Sequence, residues 1–152
     1  MLRHPEARSA TVELTTGHFR EVLDDPKIED RSKVQRILLC TGKVAYTLDA
    51  ARSERDVPVA IVRLEQMYPF PKDQLIETFS HYPEGTEIVW VQDEPRNMGG
   101  WTFVHARFDD ELEGRFDIDH VSRVESASPA TGSAHVHEQE QEQLVDEAFA
   151  GL

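Results

Sequence analysis

From Val34 onward, short and strongly apolar runs alternate with helix-length amphipathic stretches, which predicts an α/β domain built on a largely parallel sheet. Two further observations support this. The runs are apolar on consecutive positions, as strands covered on both faces are. The chain is 152 residues long with 39% apolar content, enough for one core that buries roughly two thirds of the surface exposed by an unfolded chain. Composition excludes other classes. Sixteen basic against 29 acidic residues give a net charge of -13, so neither nucleic acid nor a membrane surface is expected as a partner. No apolar run approaches the roughly 20 residues of a membrane span. Cys40 is the single cysteine and lies in an apolar run, which excludes an internal disulfide and predicts a small buried hydrophobe. No apolar stretch follows Met1-Leu2-Arg3-His4-Pro5, so no secretory signal is expected and the predicted location is cytoplasmic.

Residues 1–33 are polar, with Pro5, Pro26 and the acidic pair Asp24-Asp25, and offer one weakly periodic piece at Phe19–Leu23. They predict an extended lead-in, with the α/β domain proper over 34–152. Arg36–Cys40 is the first strand. Thr41-Gly42-Lys43 then turns the chain, and Val44, Ala45, Leu48 and Ala51 at helical spacing predict a helix from about 43 to 54. Val57–Leu64 is the second strand, closed by Pro69 and Pro71. Leu75, Ile76 and Phe79 share one face of a helix over 72–81, with Pro71 suited to its N1 position. Glu87–Gln92 is the third strand. After the loop Asp93–Gly100, Trp101, Val104, His105 and Phe108 predict another helix. Asp119–Val124 alternates as a fourth strand at an edge, and a small-residue loop over 126–133 follows. A last helix from about 135 carries the stripe Val136, Leu144, Val145, Ala148 and Phe149, with Glu138–Gln143 solvated.

The residues needed for chemistry are missing. Thr41-Gly42-Lys43 is only a fragment of a phosphate loop, and Asn97-Met98-Gly99-Gly100 lacks the spacing of a dinucleotide fingerprint, so its glycines predict a tight turn into a helix. His135 and His137, two apart on a helix, point in different directions and make no metal pair. Acidic pairs such as Asp24-Asp25 and Asp109-Asp110 are expected to be solvated. No catalytic, metal-binding or cofactor-binding residue is assigned. What remains is position: in an open parallel sheet, ligands bind outside the carboxyl ends of the strands, and here those ends carry Thr41, Lys43 and Gln66. These three are the candidate effector site, for an anionic nucleotide or CoA-type ligand. Equally, Gly42 can serve the turn alone with Lys43 solvated. Glu94, Pro95, Asn97, Gly99, Gly100 and Trp101 are candidates for packing or an interface, because Pro95 stops a strand, the glycines permit close approach and Trp101 brings a large buriable surface.

Taken together, these motifs resemble the C-terminal domain of the thiamine-diphosphate-dependent decarboxylating component of 2-oxoglutarate dehydrogenase. The resemblance rests on Leu39-Cys40-Thr41-Gly42-Lys43, Ile61–Gln66 followed by Tyr68-Pro69-Phe70-Pro71, Trp90–Trp101, and Ser126-Ala127-Ser128-Pro129-Ala130-Thr131-Gly132 with Val136-His137, in the family's order and spacing. Asp93, Met98 and Gly100 depart from the usual Glu, Gln and Ala. Leu2–Arg8 is similar to a segment deep inside full-length members, so a piece of a longer enzyme is expected.

The resemblance implies a transketolase C-terminal-like, three-layer α/β sandwich. It also implies a bacterial-type oxidoreductase of the tricarboxylic acid cycle that decarboxylates 2-oxoglutarate on thiamine diphosphate and Mg²⁺ and passes succinyl to a lipoyl carrier. The implied partners are the rest of that component, its homodimer mate and the lipoyl succinyltransferase of the multienzyme complex. The Gly-Asp-Gly…Asn-Asn thiamine signature is absent, so this chain is expected to bind no cofactor, to be inactive alone, and to serve assembly or dimerisation. Actinobacterial members bind the activator acetyl-CoA partly through this domain, with a Lys and a Ser flanking Phe-Arg, the Gln of Leu-Glu-Gln, and two Arg after the second proline. Here Phe19-Arg20 is flanked by His18 and Glu21, Gln66 is retained, and the Arg positions are Asp73 and Gln74, so acetyl-CoA binding is not expected. The alternative to an assembly domain is a small-ligand regulatory module at Thr41, Lys43 and Gln66.

Overall fold

Consecutive leucine and β-branched side chains favour extended backbone when both faces of a sheet are covered, and the strands form where these runs lie. In a computed structural model describing His4 and residues 7–112 and 114–152, five strands assemble in the order β1-β3-β2-β4-β5. They are β1 (Val22–Leu23), β2 (Arg36–Cys40), β3 (Val59–Leu64), β4 (Glu87–Pro95) and β5 (Asp119–Arg123). β2, β3, β4 and β5 pair in parallel, with Leu38 opposite both Ile61 and Val89, while β1 pairs antiparallel to β3. The helices are α1 (Thr11–Thr16), α2 (Val44–Arg55), α3 (Lys72–Ser80), α4 (Trp101–Glu111) and α5 (Ala134–Ala148).

The period of two along each strand divides the core. Ile37, Leu39, Val62, Ile88 and Trp90 join Phe79, Val104 and Phe108 in one apolar cluster, under α3 and α4. Leu38, Cys40, Ile61, Val89 and Val91 join Leu48, Leu144 and Ala148 in the other, under α2 and α5. This is the expected α/β class, a mostly parallel sheet between two helical layers. Cys40 is fully buried and its thiol is pushed up to about 12 by burial.

Several elements differ from expectation. β3 starts at Val59 rather than Val57, and Pro71 is the N-cap of α3 rather than its first helical residue. β4 continues through polar Gln92, Asp93 and Glu94 to Pro95 instead of ending at Gln92, because the register shifts and Pro95 comes opposite Arg123. Val136 is 38% exposed and stays outside the buried stripe of α5. The stretch 1–33 is not simply extended: it carries α1, the strand β1 and a 3₁₀ turn at Arg31–Lys33. Leu2, Arg3, Pro5 and Glu6, part of the similar opening segment, lie outside the described residues.

The pair Asp24-Asp25, expected to be solvated, is built into the fold. Asp25 is 2% exposed and accepts the Ile61 N–H at 2.7 Å and the Lys27 N–H at 2.9 Å. Arg52 of α2 pairs with Asp25 and donates to the Val59 carbonyl at 3.1 Å. Side chains thereby continue the hydrogen-bond ladder of β3 past the end of the short β1.

Candidate functional site

The chain runs from β2 to β3 on one side and returns to β4 on the other, so the topological switch point lies between the carboxyl ends of β2 and β4. Two loops meet there. Gly42, at φ 73°, turns the chain into α2 and leaves Lys43 at its N-cap, with Thr41 half-buried beside it. Lys43 Nζ lies 3.5 Å from Asp93 Oδ2, and Asp93 Oδ1 accepts from Gln141 Nε2 at 3.0 Å. Protein groups therefore bridge the crevice. Gln66 donates its amide to the Pro69 carbonyl at 2.9 Å, across a loop with a cis Tyr68–Pro69 bond. The Lys43 ammonium and the Gln66 amide nitrogen thus each have a partner within the chain.

The second loop, Asp93–Gly100, is organised from below by Gln92. Its Oε1 accepts from Trp90 Nε1 at 2.9 Å and from the Trp101 N–H at 2.8 Å. Its Nε2 donates to the carbonyls of Met98 at 2.7 Å and Pro95 at 3.0 Å. Gly99, at φ 68°, passes so close that a Cβ would meet the Gln92 amide at 2.9 Å, and one on Gly100 would meet Trp90 Cζ2 and Met67 Cε at 2.7 Å. Pro95 is buried, while Glu94 and Asn97 are exposed. The Asn97 side chain forms two bonds with the backbone of Ser126, tying this loop to the one after β5. Trp101 is 8% exposed, stacked on His120 at 4.3 Å and edge-on to His105 at 4.8 Å. Burial, and then the nearby Arg96 charge, hold His120 below the ordinary imidazole value.

Among the other groups, His18, Phe19, Arg20, Gln74 and His137 are marked in the sequence by the resemblance, and the rest carry no sequence signal. Arg123, at the end of β5, forks to His137 Nδ1 and Gln141 at 3.0 Å and lies 3.3 Å from Glu140, with its Nε buried and unpartnered. Because a guanidinium only donates, His137 Nδ1 is the acceptor. On the far side, a cavity of about 720 Å³ is lined by Arg8, His18, Phe19, Arg20, Tyr46 and Arg63. Beside it, a cleft of about 400 Å³ takes in Arg20, Arg31, Gln74 and His81, and the buried Nε of Arg31 has no partner. These cations are scattered in sequence, and only the fold gathers them. Gln92 left one hint, an amide closing an apolar run two residues after a Trp.

The fold and its strand ends define a doubly wound α/β domain whose switch-point crevice is bridged by its own side chains. Residues 8–149 match the family described as 2-oxoglutarate dehydrogenase C-terminal, and the chain belongs to that family. Across 153 residues and 100% of its length, the chain is 40% identical to the 2-oxoglutarate dehydrogenase E1 component of Cupriavidus necator. It is 39% identical over 154 residues, 99% of the chain, to the E1 component of an Exiguobacterium species. It is 43% identical over 157 residues, again 99% of the chain, to the multifunctional 2-oxoglutarate metabolism enzyme of Mycobacterium sp. strain JLS. The chain spans only 16%, 16% and 12% of these relatives' own lengths. Among the described residues, no helix is long and apolar enough to cross a membrane.

Proposed function

We propose that this chain is the C-terminal, non-catalytic domain of a cytoplasmic 2-oxoglutarate dehydrogenase, acting in assembly of the catalytic part and its dimer. In this reading the complete enzyme decarboxylates 2-oxoglutarate with thiamine diphosphate and Mg²⁺ in the tricarboxylic acid cycle and passes succinyl to the lipoyl succinyltransferase of its complex. The observation that carries it is the match along the whole chain to the C-terminal family. The residues present do not fit the cofactor. The sequence lacks the Gly-Asp-Gly…Asn-Asn signature, and among the described residues no group of three His, Cys, Asp or Glu could hold a metal ion. The domain supplies shape: rigid strand-end loops and a buried core on both sides of the sheet. Decarboxylation of 2-oxoglutarate by the isolated chain, with thiamine diphosphate and Mg²⁺ added, should stay at background, and clear turnover would overturn the non-catalytic reading.

A regulatory reading is favoured by one observation, the convergence of Arg20 and Arg31, the latter paired with Asp24, on the 400 Å³ cleft of an otherwise acidic chain. In that reading an anionic effector of nucleotide or CoA type binds there, displaced from Thr41, Lys43 and Gln66. Calorimetry with acetyl-CoA and adenine nucleotides separates the sites: heat abolished in Arg20→Ala supports the cleft, heat abolished in Lys43→Ala supports the strand ends, and no heat at millimolar ligand removes both.

A further inference from the structure

Away from the strand ends the molecule carries the cleft at Arg20 and Arg31 and an acid-rimmed groove of about 670 Å³ between residues 79–88 and 115–119; above Gln92 it carries the loop Asp93–Gly100. We propose that Gln92 and Asn97 are the positioning residues of the assembly surface: one amide fixes the loop Asp93–Gly100 from inside, the other ties its outer edge to the loop after β5. The inference rests on the assembly reading above and names the part of the domain that performs it.

Gln92 is 2% exposed, and both ends of its amide are used, Oε1 as acceptor for two N–H groups and Nε2 as donor chiefly to two loop carbonyls, with that of Glu94 more distant at 3.3 Å. Only a side-chain amide offers two donor hydrogens and an oxygen with two acceptor lone pairs on one planar group. Those carbonyls belong to Pro95 and Met98, so the side chain fixes the turn from inside while the Arg123 carbonyl holds the Arg96 N–H at its edge. Gly99 is shaped to let the amide in. Asn97 is exposed, yet its amide grips both the N–H and the C=O of Ser126. The clamp holds the outer edges of the two loops in one relation, as a surface that docks against another body requires. The flanks of these loops carry Tyr68 and Val124, 76% and 77% exposed. Tyr68 lies beside Met67, whose Cε approaches Gly100, and Val124 follows Arg123, whose carbonyl accepts the Arg96 N–H. The occupant is the catalytic part of the same dehydrogenase, because the relatives that this chain matches carry about five sixths of their length outside the matched region.

The test uses the Cupriavidus necator component carrying this chain in place of its matching segment, together with the chain by itself. In Gln92→Glu the carboxylate still accepts from Trp90 and Trp101 but donates to neither carbonyl. The amide resonances of Glu94 and of residues 96–99 should therefore move while the Trp90 indole N–H stays in place. Dimerisation of the chimera should weaken about tenfold or more in Gln92→Glu. Asn97→Ala, an exposed change, should leave the melting temperature of the chain unchanged and still weaken the dimer. Dimerisation as tight as the parent's in both variants, or unmoved loop resonances in Gln92→Glu, would overturn the positioning inference. Failure of the chimera with the unaltered segment to dimerise would instead overturn the assembly reading beneath it.

Discussion

The two faces of the sheet bury similar apolar runs in different ways. Under α3 and α4 the core is aromatic: Phe108 lies 6.3 Å from Phe70 and 6.1 Å from Phe79, and Trp90 and Trp101 complete the cluster toward the strand ends. Under α2 and α5 the buried residues are aliphatic and small, with Ala45, Ala51 and Ala148 at the contacts and Phe149 the single ring among them. The aliphatic face compensates at its edges. Asp25 and Arg52 clasp α2 to β3, and Arg123 clasps the start of α5 to β5. Large rings fill space and set geometry by contact, whereas small side chains allow close approach but specify position weakly, so charged groups fix it.

The largest effects should separate the faces. Phe108→Ala and Trp101→Ala should each cost about 3–5 kcal/mol, measured by urea unfolding of the chain. Leu144→Ala on the aliphatic face should fall near the lower end of about 2–5 kcal/mol, since small neighbours can close around it. Equal losses for Phe108→Ala and Leu144→Ala would remove the contrast. Next comes the clasp: Asp25→Ala strands the buried Arg52 guanidinium and the Ile61 N–H, and should cost about 3–5 kcal/mol. An Asp25→Ala chain as stable as the parent would show that the edge of β3 needs no side-chain cap.

The same contrast explains what the sequence could reveal. Runs such as Arg36–Cys40 and Val59–Leu64 announce themselves, because a strand covered on both faces has no polar alternative. α2 and α4 follow from the spacing of Val44, Ala45, Leu48 and of Trp101, Val104, Phe108. The clasps were hidden, since an Asp in a polar stretch looks solvated until the fold brings an Arg from 27 residues away. β4 outran its apolar run for a related reason: Gln92 is buried by its bonds and not by hydrophobicity. At the strand ends, Thr41, Lys43 and Gln66 were legible as positions. That Lys43 faces Asp93 was not, because that contact spans two strands.

Smaller effects should distinguish the two strand-end loops. Gly42 and Gly99 both have positive φ, but a Cβ on Gly42 meets nothing within 4 Å, while one on Gly99 strikes the Gln92 amide at 2.9 Å. Gly42→Ala should therefore cost only the left-handed backbone, about 1–2 kcal/mol. Gly99→Ala adds overpacking of about 1–3 kcal/mol to the same backbone cost. Thermal unfolding of the two variants measures the difference, and equal shifts would mean that Gln92 yields freely and the loop is soft.

The smallest expected effect is on pH dependence, and it falls on the aromatic face alone. His120, stacked on Trp101, is held below the ordinary 6.5 by burial and by Arg96, so the folded chain binds its proton less readily than the unfolded chain does. Its contribution to stability is therefore complete above 6.5 and is lost as pH falls through the lower folded value. Asp24 acts in a separate window. Burial raises its carboxyl, but hydrogen bonds from Tyr82, the Asp25 N–H, Arg31 and His81 together bring it below the ordinary 3.8, so its contribution is lost only in stronger acid. Melting temperatures between pH 8 and 5 should thus decline in the parent chain and decline less in His120→Gln, whose side chain does not titrate. Identical slopes would place the acid sensitivity elsewhere, and Trp101 would then owe its burial to shape alone.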